Sequence, residues 1–133
     1  MFRWPGAGQI YSSSRDMATF LAANMGEAHR PWPDGECDGF VQQPVFTVNS
    51  HFKQGLLAWQ DVRSGTLLII DKNGGLNNTS TYIGFAPERK LGVVILVNRG
   101  KQHATGIGRR ILHALAQDQS VPSTEGEPER DGD

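Results

Sequence analysis

Leu67-Leu68-Ile69-Ile70-Asp71-Lys72-Asn73-Gly74-Gly75 is an apolar run that ends in an acid, a lysine, an amide and two glycines. Four aliphatic residues in succession, bounded by turn formers, read as a strand covered on both faces. Val93-Val94-Ile95-Leu96-Val97 repeats the pattern downstream. Working outward, four strand-like runs are expected over residues 55–62, 66–73, 79–86 and 91–98. Arg63-Ser64-Gly65 and Pro87-Glu88-Arg89-Lys90 are hairpin-length connections, so the strands pair antiparallel.

Strands covered on both faces need helices. Ile107, Ile111, Leu112 and Leu115 recur at helical spacing, predicting a helix over residues 105–117 with Arg109, Arg110 and Gln117 left to solvent. Upstream, Ser13 with Asp16 three residues later reads as an N-cap, predicting a helix over residues 14–25 stopped by Gly26. Met17, Phe20 and Leu21 form its expected buried face. Residues 27–44 hold Pro31, Pro33, Gly35, Gly39 and Pro44 without periodicity and read as a long surface connection. The fold class expected is α/β (α+β): an antiparallel sheet of about four strands flanked by helices.

A chain of 133 residues has room for one domain. The net charge of −1 is unevenly spread: six acids beyond Gln117 face Arg130 alone, a net −5, while residues 1–117 carry twelve basic and eight acidic residues, a net +4. Residues 1–117 are therefore expected to form the domain, and residues 118–133 a disordered acidic tail. The positive excess lacks the clustering that nucleic-acid binding needs. The one cysteine, Cys37, excludes an internal disulfide framework and, without Cys-x-x-Cys, argues against structural zinc. His29, His51, His103 and His113 show no metal-ligand spacing. No run reaches the roughly 18 apolar residues of a transmembrane segment, and Met1-Phe2-Arg3-Trp4-Pro5-Gly6 has no signal-peptide core, so the chain reads as soluble.

The polar stretch from Asp71 to Tyr82 is the leading site candidate. A lysine at a strand's end is a cation of fixed position, and Gly74 and Gly75 let a ligand approach bare backbone N–H groups. A plain glycine-rich hairpin with an exposed lysine explains the same residues. Asn77 and Asn78 either line the site or shape the turn. No Gly-x-x-x-x-Gly-Lys-Ser/Thr phosphate loop is present.

Lys72-Asn73-Gly74, then Tyr82, Phe85, Pro87-Glu88-Arg89-Lys90-Leu91-Gly92 and the strand ending at Asn98, resembles the C-terminal part of the class C β-lactamase and penicillin-binding serine hydrolase family. Ile10-Tyr11-Ser12-Ser13-Ser14-Arg15-Asp16-Met17 resembles that family's helix entry, Gly55-Leu56-Leu57-Ala58-Trp59 its Gly-Leu-x-x-Trp strand, and Gly106 to Leu112 its C-terminal helix. After Asn98 the wording is most similar to the periplasmic DD-carboxypeptidase/endopeptidase branch. The resemblance implies acyl-serine chemistry without a cofactor on D-Ala-D-Ala peptidoglycan peptides or β-lactams, in the periplasm. It implies that Lys72, Asn73 and Gly74 stand for the Lys-Thr/Ser-Gly motif, with Lys72 holding the substrate carboxylate and Gly75 offering an oxyanion N–H. Asn77 and His103 would join the substrate contacts.

Two departures bear on this. Asn73 stands where the family has threonine or serine; its amide still donates a hydrogen bond but carries no hydroxyl. Ser-x-x-Lys occurs in letters once, at Ser50-His51-Phe52-Lys53, which falls after the helix entry whereas the family places its nucleophile well before it, and there is no Tyr-x-Asn. Tyr11-Ser12-Ser13 matches Tyr-x-Ser in letters but falls beside the helix entry. The resemblance thus implies that nucleophile and base belong to a missing N-terminal part of the same domain, and that the isolated chain turns nothing over.

Overall fold

The computed structural model describes residue 8 and residues 10–26, 42–76 and 78–118. Helix α1 (Ser14–Asn24) comes first, followed by strands β1 (Pro44–Asn49), β2 (Phe52–Gly55), β3 (Gln60–Ser64), β4 (Leu67–Gly74), β5 (Ser80–Ala86) and β6 (Leu91–Val97), and helix α2 (Ala104–Asp118). The strands form one six-stranded sheet in sequence order, β1-β2-β3-β4-β5-β6, each neighbour antiparallel. Short connections produce this meander, because only antiparallel strands can be joined by hairpins. The protein is α+β, as expected.

Side chains alternate across each strand, and the two helices cover opposite faces. Leu67 and Ile69 of β4 pack with Ala86, Leu112 and Ala116 under α2. Ile70 packs with Trp59, Ile83, Phe85 and Leu21 under α1, with Met17, Met25 and Val94 at the edge. The Trp59 and Phe85 rings meet edge to face at a 5.7 Å centroid separation. A side chain at Gly92 would strike Leu21 and Met25, so glycine there lets α1 settle on β6.

The Ser13 cap forms as expected: its Oγ accepts from the Asp16 N–H at 3.1 Å and donates to the Asp16 carboxylate at 2.8 Å. The helix ends one residue earlier than expected, with Met25 as the capping residue.

Several expectations are corrected. Phe20 is half exposed, because the narrow contact of α1 with the sheet uses Leu21, Met17 and Met25. Residues 55–62 are two strands: a 3-10 turn at Leu56–Ala58, with Ala58 at φ 71°, separates β2 from β3. The Gly55 N–H donates to the Trp59 carbonyl at 2.7 Å, closing that corner. Strands β1 and β2 over residues 44–54 were not anticipated. Every residue of β1 is exposed, so the half-buried alternation that announces a strand is missing there. Pro44, expected in the connection, begins β1, and Asp118, expected to begin the disordered tail, is the last residue of α2, while residues 27–41 and 119–133 lie outside the described residues.

The α2 face is also corrected. It buries Ala104, Gly108, Leu112 and Ala116, a stripe of small residues around one leucine, and leaves Ile107, Ile111 and Leu115 38–46% exposed. The close approach has a visible cause: the Tyr82 ring fills the space beside Gly108.

Candidate functional site

Strand β4 carries the candidate residues to an open edge. On one side it pairs with β5 from Ile70 to Gly74, Lys72 opposite Ile83, Asn73 opposite Tyr82 and Gly74 opposite Thr81. On the other side the ladder with β3 ends at Gln60 opposite Asp71. Trp59 turns away, its carbonyl taken by Gly55 and Gln54 and its N–H by Leu56. Among the described residues no strand pairs with Lys72, Asn73 and Gly74 on that side, which leaves a template for an extended chain.

Alternation sends consecutive residues to opposite faces here. Lys72 is half-buried on the α1 face in the row of Ile83 and Val94, while Asp71 and Asn73 lie on the α2 face. Beyond the strand's end lies a cleft of about 640 Å3. Asn73, Gly74, Gly75 and Leu76 form one wall, and Gly100, Lys101, Gln102, Ala104 and Thr105, at the entry to α2, form the other. The turn between β4 and β5 is closed by the Thr79 N–H donating to the Leu76 carbonyl at 2.9 Å. Two bonds tie the α2 entry to the start of β5: Gly100 N–H to Asn78 Oδ1 at 3.0 Å and Gln102 N–H to Ser80 Oγ at 3.1 Å.

Asn73, Gly74 and Gly75 are thus brought together on this cleft, joined by Asn78. Lys72 flanks it from the other face. His103 is exposed and outside the lining; its carbonyl accepts from the Ile107 N–H at 2.9 Å, which puts it at the helix start. Asn77 lies outside the described residues. Among the described residues no cluster of three or more His, Cys, Asp or Glu is placed to hold a metal.

The sequence reading missed the charged group beneath this site. Asp71 is completely buried, and its carboxylate accepts from Arg109 Nε at 2.7 Å and Nη2 at 3.1 Å and from the Tyr82 hydroxyl at 3.0 Å. Arg109, expected in solvent, is therefore a sheet contact with 31% of its side chain exposed. A signal was present: Asp71 shares the face of Leu67 and Ile69, and an acid on a covered face demands a cation. Hydrogen bonding to Asp71 holds the Arg109 guanidinium above its ordinary pKa, against the effect of burial. Burial, followed by the Asp71 charge, pushes the Tyr82 hydroxyl far above the usual tyrosine range. Tyr82 and Trp59 are core residues, as expected.

One further acid stands apart. Asp61 on β3 has its Oδ1 buried without a hydrogen-bond partner, and burial raises its pKa although Lys53 and Arg63 act in the opposite sense.

Against known proteins, the family model described as Beta-lactamase matches residues 1–118, through the end of α2. No curated protein matches the chain.

Proposed function

The chain belongs to the beta-lactamase family, and from that membership we propose that it is the part of a serine hydrolase that holds the substrate backbone and carboxylate. The substrate class is a D-Ala-D-Ala peptidoglycan peptide or a β-lactam, and the branch is that of the periplasmic DD-carboxypeptidases and endopeptidases. One observation carries the reading: β4 loses its β3 partner beyond Asp71, so that among the described residues Lys72, Asn73 and Gly74 present an unpaired edge beside a cleft. An extended peptide adding there would exchange backbone hydrogen bonds with β4. Lys72 would supply the positive charge for its carboxylate, with Asn73 donating from its amide. Gly75, without a side chain, gives close access to a backbone N–H where an acyl oxyanion develops.

The nucleophile and its base are proposed to come from a preceding part of the same domain. Tyr-x-Asn is absent from this sequence, and its one Ser-x-x-Lys, Ser50-His51-Phe52-Lys53, lies in the β1–β2 hairpin, with Ser50 in the turn and Lys53 on β2. The exposed Ile107, Ile111 and Leu115 of α2, and Val45, Phe46 and Val48 of β1, are apolar surface that such a part would cover. Alone, the chain binds and does not turn over, because an oxyanion donor and a carboxylate anchor have nothing to acylate. The described residues contain no helix long and apolar enough to cross a membrane.

Intact-mass spectrometry after incubation with benzylpenicillin tests the missing nucleophile: an unmodified chain is expected, and a covalent penicilloyl adduct would overturn that part of the reading. Translation of the frame upstream of Met1 tests the rest. Ser-x-x-Lys followed by Tyr-x-Asn is expected; a stop codon close upstream would leave Lys72 a binding role only.

A further inference from the structure

We propose that Arg109 is a positioning residue of the cleft, setting through Asp71 the spacing between the end of β4 and the start of α2. This rests on the reading of the cleft as the peptide site. Its two walls belong to different elements: Asn73 to Leu76 continue β4, and Ala104 and Thr105 open α2. The α2 entry is tied to β5 by Gly100 and Gln102. The polar tie from α2 to β4 near the cleft is the Arg109 fork on Asp71. Asp71 lies about 10 Å along the strand from Gly74, and Arg109 about 7.5 Å along the helix from Ala104, so the clamp is close to both walls.

The chemistry of the clamp suits positioning. Two parallel N–H bonds onto one carboxylate fix direction as well as distance, which a lysine cannot do. The Tyr82 hydroxyl occupies Oδ2 alongside Arg109 Nε, so the carboxylate is held from the sheet and the helix at once. A buried pair of this kind adds little net stability over well-packed apolar residues of similar volume. What the clamp adds is a specified geometry. It also fixes the face of Lys72: a one-residue slip of β4 would turn Asp71 into the apolar cluster under α1 and carry Lys72 to the α2 face.

The test uses the full chain, 15N-labelled, in three variants: Arg109→Lys, Arg109→Met, and the apolar double replacement Asp71→Leu with Arg109→Met. The double variant separates positioning from stability, since it leaves no unpaired buried charge. Two quantities are read: millisecond exchange broadening at the Gly74, Gly75, Gln102 and Thr105 amides, and affinity for N-acetyl-D-alanyl-D-alanine. The double variant should lose no more of its urea midpoint than the unpartnered Tyr82 hydroxyl costs, keep its Leu67 and Leu112 signals, gain broadening at the four cleft amides, and bind the dipeptide about threefold to thirtyfold more weakly. Arg109→Lys should fall between it and the parent. Unchanged cleft amides in the double variant, or a dipeptide affinity equal to the parent's, would overturn the positioning role. If the parent itself binds no dipeptide, the peptide-site reading fails, and the amide broadening alone still decides whether Arg109 sets the cleft.

Discussion

The Tyr82 ring occupies the place where Gly108 would otherwise carry a side chain: an ideal Cβ on Gly108 would lie 2.2 Å from both Cδ1 and Cε1 of that ring. Helix α2 approaches the sheet this closely because residue 108 is glycine, and Tyr82 cannot move aside without leaving its bond to Asp71.

Gly108→Ala is therefore expected to destabilise the protein by about 1–3 kcal/mol, the usual cost of overpacking. Helix propensity alone predicts the reverse, a gain of about 1 kcal/mol. Gly106→Ala is the control, since its new Cβ would meet nothing nearer than the His103 Cβ at 4.0 Å. That variant should gain up to about 1 kcal/mol. Urea unfolding of both checks the pair, and shifts in the same direction would contradict the packing described.

Breaking the buried ion pair from one side should be costly. Arg109→Met leaves the fully buried Asp71 carboxylate with the Tyr82 hydroxyl alone, and a loss of about 3–5 kcal/mol is expected. The Asp71→Leu, Arg109→Met double variant should recover most of it. A double-mutant cycle by urea unfolding measures the coupling.

Tyr82 makes stability depend on alkaline pH. Its folded pKa is raised above the unfolded value of about 10, chiefly by burial. The neutral hydroxyl is the form the fold holds, so this contribution is complete below about pH 10 and declines as pH rises beyond it. Tyr82→Phe loses a hydrogen bond worth about 1 kcal/mol at pH 8 but no longer has a group to ionise. The stability gap between parent and variant should narrow from pH 9 to pH 11, and a constant or widening gap would count against the assignment.

Ser13→Ala should lower stability by about 1 kcal/mol by removing the acceptor for the Asp16 N–H. Far-UV circular dichroism during urea unfolding reports it. An unchanged midpoint would mean that α1 is held by Leu21, Met17 and Met25 alone.

Much of this fold was legible in the sequence because its central elements obey simple patterns. The runs at Leu67 and Val93 are strands as expected, although β6 is only partly covered and leaves Leu96 exposed, and Ser13 with Asp16 announced α1. Helix α2 was legible as a helix, but its buried face was not. Aliphatic periodicity selects Ile107, Ile111 and Leu115, whereas the contact uses Ala104, Gly108 and Ala116, whose smallness matters only once Tyr82 is known to lie opposite. Strand β1 escaped notice because its residues are exposed on both faces, without the half-buried alternation that marks a strand. At the site, Asn73, Gly74 and Gly75 were legible as a cluster because turn residues end a strand, and they share the cleft. The partnership of Asp71 and Arg109 spans 38 positions, and no local spacing encodes it.

The open end of β4 is proposed to bind a D-Ala-terminated peptide through Lys72 and the two glycines. A 15N amide titration of the full chain with N-acetyl-D-alanyl-D-alanine tests it most directly. Saturable shifts centred on Lys72, Gly74 and Gly75, strongly weakened in Lys72→Met, are predicted. Shifts scattered over the surface, none at all, or an equal response in Lys72→Met would contradict it.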